Sequence, residues 1–153
     1  MSTADQLNGA SCPVSGTKMD ERVARVIAAQ VVVMISLSLV SPFFPVAILL
    51  LDFTFRAFFA GKGSAFRWIA CRIVRFLPGT PKPTDVAPKR FAALLGFLFS
   101  ALILSLHLLD LHAIAYALSL LLLVLATLEA TIALCVGCII YQQIQIIRGI
   151  QTS

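Results

Sequence analysis

A chain of 153 residues suits a single domain. Its hydrophobic fraction is 59% and its charged fraction 12%, half the roughly 25% of average soluble domains, and its mean hydropathy is +0.97. That balance argues against an ordinary water-soluble domain. The net charge of +5 does not indicate nucleic acid either, because the basic residues lie outside the apolar runs, where the positive-inside rule puts them.

Residues 1–16 are rich in Ser, Ala, Gly and Asn, lack an apolar period, and read as a mobile cytoplasmic segment carrying Cys12. No cleavable signal is expected, since Asp20 and Glu21 occupy the place of a basic leader. Thr17-Lys18-Met19-Asp20 has capping-box spacing and predicts a helix start. Val26 to Leu51 is free of charge and is interrupted by Pro42 and Pro45. A broken backbone is costly in hydrocarbon, so the prolines predict a turn at a membrane face between spans over 23–40 and 43–60. Residues 61–90 form a polar middle loop. Within it, Ser64 to Leu77 reads as an interfacial helix, with Phe66, Ile69, Ala70, Ile73, Val74, Phe76 and Leu77 on one arc, Arg67, Arg72 and Arg75 on the other, and Trp68 near the boundary. Pro78 to Pro83 predicts a stiff extended turn. Two further spans follow, over 91–108 and 113–138, separated by a polar turn at Asp110 and His112. The fold class is therefore an all-α integral membrane protein, with residues 17–153 forming one domain of four transmembrane helices and an interfacial amphipathic helix between spans two and three.

The distribution of charge orients this arrangement. With four spans, every Lys and Arg except Arg56 falls in the N-terminus, the middle loop or the C-terminus, which share a side. Both termini are thus expected in the cytoplasm. Cys12, Cys71, Cys135 and Cys138 all come out near that face, and His107 and His112 at the other, so a mixed Cys/His zinc site is not expected. A reducing compartment also argues against a permanent structural disulfide.

Cys135 and Cys138, three apart, share a helix face, and Gly137 between them would ease the loosening that a disulfide needs. Placed late in span four, the pair would feel the negative end of the helix dipole, which disfavours a thiolate; packing against a neighbouring span is the competing reading. Cys71 lies between Arg67 and Arg75, and its bland role is to fill a small site. Cys12, on its tether, is a third candidate thiol within reach of the pair. Asp52 and Arg56 are spaced i,i+4, and Glu129 comes out at similar depth, which predicts a buried polar layer with Arg56 held near both carboxylates. Proton handling, anion recognition and a structural ion pair all remain open for that layer. No metal or cofactor is indicated.

Cys12-Pro13-Val14, Asp20-Glu21-Arg22-Val23-Ala24-Arg25, Asp52-Phe53 with Arg56, Pro88-Lys89-Arg90-Phe91-Ala92, and Glu129 with Cys135-x-x-Cys138 and Tyr141 together resemble a bacterial membrane family catalogued as domain of unknown function 4395. The resemblance covers nearly the whole chain, and Cys71 is outside its pattern. It implies the bacterial inner membrane. By association with thioredoxin-like and rhodanese-like proteins, it also implies a role in thiol redox or reduced-sulfur handling. On this expectation Cys135 and Cys138 are the working pair, Cys12 resolves or delivers, and a thioredoxin-like or sulfurtransferase partner docks at the basic middle loop. A transporter or channel subunit for a small sulfur compound or anion, and a non-catalytic assembly subunit, are the alternatives. A homo-oligomer is compatible with either.

Overall fold

The computed structural model describes residues 18–59, 63–80 and 82–149. The N-terminal segment with Cys12, and Thr17 of the expected capping box, lie outside them. The chain is all-α apart from one short ribbon: β1 (Lys18–Asp20) pairs antiparallel with β2 (Pro83–Asp85). The first helix therefore begins later than the capping-box spacing suggested. Asp20 is the N-cap, accepting from the Arg22 N–H at 3.0 Å, and α1 runs Glu21–Ser38. The ribbon competes successfully for Lys18 to Asp20 because Pro83 to Asp85 offers them backbone partners, and the Glu21 N–H continues the pairing onto the Lys82 carbonyl at 2.9 Å.

The second helix, α2, spans Phe43–Phe58 and starts beyond Pro42, as the proline break requires. Helix α3 (Ala65–Phe76) is capped by Ser64, which accepts from the Arg67 N–H. Phe66, Ala70 and Val74 bury against α1, while Ile69, Ile73, Phe76 and Leu77 of the expected apolar arc stay partly or largely exposed. Helix α4 (Val86–Leu108) begins five residues before the expected span, and α5 covers His112–Ile132. A short helix, α6 (Val136–Ile147), completes the chain.

Contacts of α1 with α2 and α5, and of α4 with α2 and α5, close a ring of four helices; α3 packs on α1 and α6 on α4. The shared core is an α1 stripe of Val23, Ile27, Val31 and Ile35 against Val46, Leu49 and Phe53 of α2, with Ile103 and Leu122 from α4 and α5. Helices α4 and α5 are long and apolar enough to cross a membrane. Helix α1 carries Glu21, Arg22 and Arg25 in its first turns, and α2 has only 16 residues, so neither meets that standard.

The expected single span over 113–138 is two helices. Helix α5 ends at Ala133, whose φ of 57° and ψ of 24° are left-handed, and α6 restarts after Cys135. A left-handed alanine costs roughly 1–2 kcal/mol, so other contacts must hold it. One is visible: the Arg25 guanidinium donates to the carbonyls of Ala130 at 3.1 Å and Thr131 at 2.6 Å, two acceptors that the helix end leaves open.

Candidate functional site

The break decides where the cysteines sit. Cys135 is the N-cap of α6, in extended conformation, and its carbonyl accepts the first helical bond from Ile139 at 3.1 Å. Cys138 is three residues into the new helix. The pair therefore stands at the positive end of a helix, not late in one, and the dipole favours a thiolate there. Gly137 also has a different role from the expected loosening. A Cβ on it would lie 2.8 Å from the Ala92 Cβ and 2.9 Å from the Ala92 Cα, so its bare backbone is what lets α6 lie flat on α4.

Cys135 and Cys138 are free thiols, each half-buried. The Cys138 thiol and backbone N–H both polarise the Cys135 sulfur, although no formal capping bond is made. Donation from Cys138 holds the Cys135 thiol below the ordinary range, with Lys89 adding to the effect against burial and Glu129. The same hydrogen bond, together with burial, pushes Cys138 up. Of the two sulfurs, Cys135 is the one whose thiolate is favoured, and Cys138 is the proton donor. Cys71, expected as a small filler among reduced thiols, is disulfide-bonded.

The polar layer is assembled, with a different pairing. Asp52 Oδ2 approaches Arg56 Nη1 at only 3.9 Å, while Oδ1 accepts from the Ser64 hydroxyl at 2.6 Å and the Phe66 N–H at 3.3 Å. Asp52 is thus mainly the anchor of α3. Glu129 pairs with Lys89 at 3.6 Å, although Arg56 still feels the charges of Asp52, Glu129 and Cys135. Lys89 was read from the sequence only as a topological charge. Its place at the start of α4, level with the end of α5, is what brings it to Glu129. Arg56 makes no hydrogen bond among the described residues; its guanidinium stacks on the Phe53 ring at 5.4 Å.

Between α1, α2, α4, α5 and α6 lies a cavity of about 210 Å³. Arg56, Lys89, Glu129 and Cys135 form its polar end; Val31, Phe53, Phe99, Leu122, Ala126 and Ile140 are among the side chains of its apolar wall. Asp52 and Cys138 stand behind this lining. The structure therefore brings Arg56, Glu129 and Cys135 to one space. His107 and His112 sit at the other end of the bundle, with their Nδ1 atoms 3.3 Å apart. Among the described residues no cluster of three His, Cys, Asp or Glu side chains is arranged for a metal ion.

These features define a class: an all-α protein with two membrane-capable helices, whose Cys-x-x-Cys motif opens a short helix beside a partly open cavity. The chain belongs to the family described as "Domain of unknown function (DUF4395)", whose profile matches residues 19–145. No curated protein and no solved structure matches it.

Proposed function

We propose that this is a bacterial inner-membrane protein, with α1, α2, α4 and α5 as its four spans, that performs thiol redox or reduced-sulfur chemistry at its cytoplasmic face. The membrane part of this reading is supported by an inside-out arrangement. The buried positions of α4 and α5 include Gly96, Ser100, Ala115, Ser119 and Ala126, whereas Leu98, Leu102, Ile114, Leu120 and Val124 face outward. Small residues inside and large apolar ones outside suit helices packing in lipid, which offers no hydrophobic penalty for outward leucines. Cations gather at one end: Arg25 meets the end of α5, and Arg90 reaches the Ala57 carbonyl at the end of α2. That end is the cytoplasmic one under the positive-inside rule.

The observation that carries the chemistry is the position of Cys135 at the N-terminus of α6, with Cys138 beside it. An N-terminal Cys-x-x-Cys couples an activated thiolate to a protonated resolving thiol, which is what dithiol–disulfide exchange and sulfur transfer require. A thioredoxin-like or sulfurtransferase partner would approach from the basic middle loop. Trapping thiols in intact cells with a mass-shifting alkylator, under oxidant or thiosulfate stress, tests the reading. Cys135 and Cys138 are expected to change state together. If the pair stays reduced and unmodified under every stress, the thiol reading is lost.

A second reading, a subunit that carries a small anion, is favoured by Arg56 turning unbonded donors into the cavity. It predicts that uptake into vesicles falls with Arg56→Gln.

A further inference from the structure

We infer that the cavity beside Cys135 is a binding site for the head group of a membrane quinone, which takes electrons from the Cys135–Cys138 pair. This rests on the thiol reading above and names its co-substrate.

Three observations lead to it. The first is hydrogen-bond demand. Arg56 presents a guanidinium with five N–H donors, and among the described residues none has an acceptor within hydrogen-bond geometry; Asp52 stands off at 3.9 Å. Such a donor excess at a cavity wall calls for an acceptor on the occupant. The second is charge. Arg56 and Lys89 are already faced by the two carboxylates of Asp52 and Glu129. An anionic occupant would add a further negative charge to a set that is already balanced, whereas a neutral carbonyl oxygen supplies the acceptor without it. The third is shape and lining. Beyond the polar end, the wall is apolar, with the rings of Phe53 and Phe99 and the side chains of Val31 and Leu122. A cavity of about 150 Å³ is enough for benzene; at about 210 Å³ this one accepts a substituted ring. A neutral, ring-bearing, lipid-soluble molecule with carbonyl acceptors, placed against a dithiol, is a quinone.

The lining also orders the chemistry, because Cys135 faces the cavity and Cys138 does not. The Cys135 thiolate adds to a ring carbon of the quinone, and the carbonyl oxygen held at Arg56 takes up one proton from the aqueous side. Cys138 then gives up its proton and attacks the Cys135 sulfur. The S–S bond forms as the S–C bond breaks, the electron pair passes to the ring, and the second oxygen receives the proton from Cys138. The dithiol is oxidised by two electrons, and the quinone leaves as hydroquinone. Electrons flow in this direction when the quinone couple is the more oxidising of the two.

The test uses the full chain in phospholipid nanodiscs, reduced and freed of reductant, with decylubiquinone as probe. Quinone is expected to disappear in equal amount to the Cys135–Cys138 disulfide formed, and to slow maleimide labelling of Cys135 in the Cys138→Ser variant at least tenfold. Arg56→Gln should raise the half-saturating quinone concentration at least tenfold, with maleimide labelling in the absence of quinone as the check that the fold is intact. If the natural sequence neither reduces the quinone nor is protected by it, the inference is overturned whatever the variants do. Protection by sulfite or thiosulfate without protection by quinone also overturns it and assigns the cavity to an anion. Either result leaves the thiol reading standing if the pair still cycles in cells. A pair that never cycles in cells removes that reading instead.

Discussion

Replacing Gly137 by alanine separates the observed helix break from a continuous final span by the sign of its effect. In the structure, the added Cβ meets the Ala92 Cβ at 2.8 Å and the Ala92 Cα at 2.9 Å, with Leu95 Cδ1 at 3.6 Å. Carbon atoms in good contact are about 3.5–4.0 Å apart, so α6 must retreat by roughly 0.8 Å. The obstacle includes backbone and cannot rotate away. Overpacking of this kind costs about 1–3 kcal/mol. For a chain of this size, about 2–4 °C of melting temperature per kcal/mol gives a loss of about 2–12 °C. In an uninterrupted, loosely packed helix, the same change would add about 0.8–1.0 kcal/mol of helix propensity and raise the melting temperature. Thermal unfolding in detergent, followed by exposure of buried thiols, reads the sign directly. Ala92→Gly removes one of the two clashing atoms, so the double variant should recover part of the loss. A Gly137→Ala protein that melts at or above the natural temperature, with Cys135 labelled at the natural rate, refutes the packing of α6 on α4.

Three other outcomes are expected. Arg25→Gln removes the charged donor to the carbonyls of Ala130 and Thr131, and hydrogen bonds to charged groups contribute about 1.5–3 kcal/mol before discounting for exposure. A loss of about 1 kcal/mol, with faster amide exchange confined to the end of α5 and the start of α6, is the result to look for by hydrogen-exchange mass spectrometry. Ser64→Ala removes both the cap of α3 and the donor to Asp52, which should cost about 1–2 kcal/mol and loosen α3 first; limited proteolysis across residues 63–80 is the check. The pH profile of Cys135 alkylation should lie to the acid side of that for the unfolded chain, because Cys138 donation lowers the Cys135 pKa. Its sign follows from the proton count. Between the folded and the ordinary thiol values, the native chain binds fewer protons than the unfolded one. The contribution to stability is therefore present above the ordinary value and lost as pH falls through the folded value. Cys138→Ala should move the profile back towards alkaline pH, and an unmoved profile would remove Cys138 as its cause.

Much of the helical layout was legible in the chain because hydrophobic periodicity and prolines report it locally. The break after Pro42 and the helix over Ser64 to Leu77 follow from neighbouring residues, whereas the burial of Phe66, Ala70 and Val74 against α1 is a tertiary result. The break at Ala133 was not legible. Ala133-Leu134-Cys135 contains no Gly, Pro, Ser, Thr, Asp or Asn, the residues that ordinarily mark a helix end or start. What supports it is Arg25, more than a hundred residues earlier, and the close approach of Gly137 to Ala92. The partner of Glu129 was hidden for the same reason: Lys89 belongs to another helix, and its loop position looked sufficient as an explanation.

Composition and the pattern of apolar runs indicated by themselves that this chain is helical and membrane-like, with four spans expected where two helices, α4 and α5, prove long and apolar enough to cross a bilayer, and they marked Asp52, Arg56, Glu129 and the cysteine pair as its unusual polar residues. These properties depend on each residue and its neighbours within a few turns. Tertiary packing alone decided that the pair caps a new helix, that Asp52 is committed to α3, and that Arg56 turns its donors into a cavity. An end of a helix, a salt-bridge partner and an empty volume are each made by atoms far apart in the chain, so their free energies are set only when the helices meet.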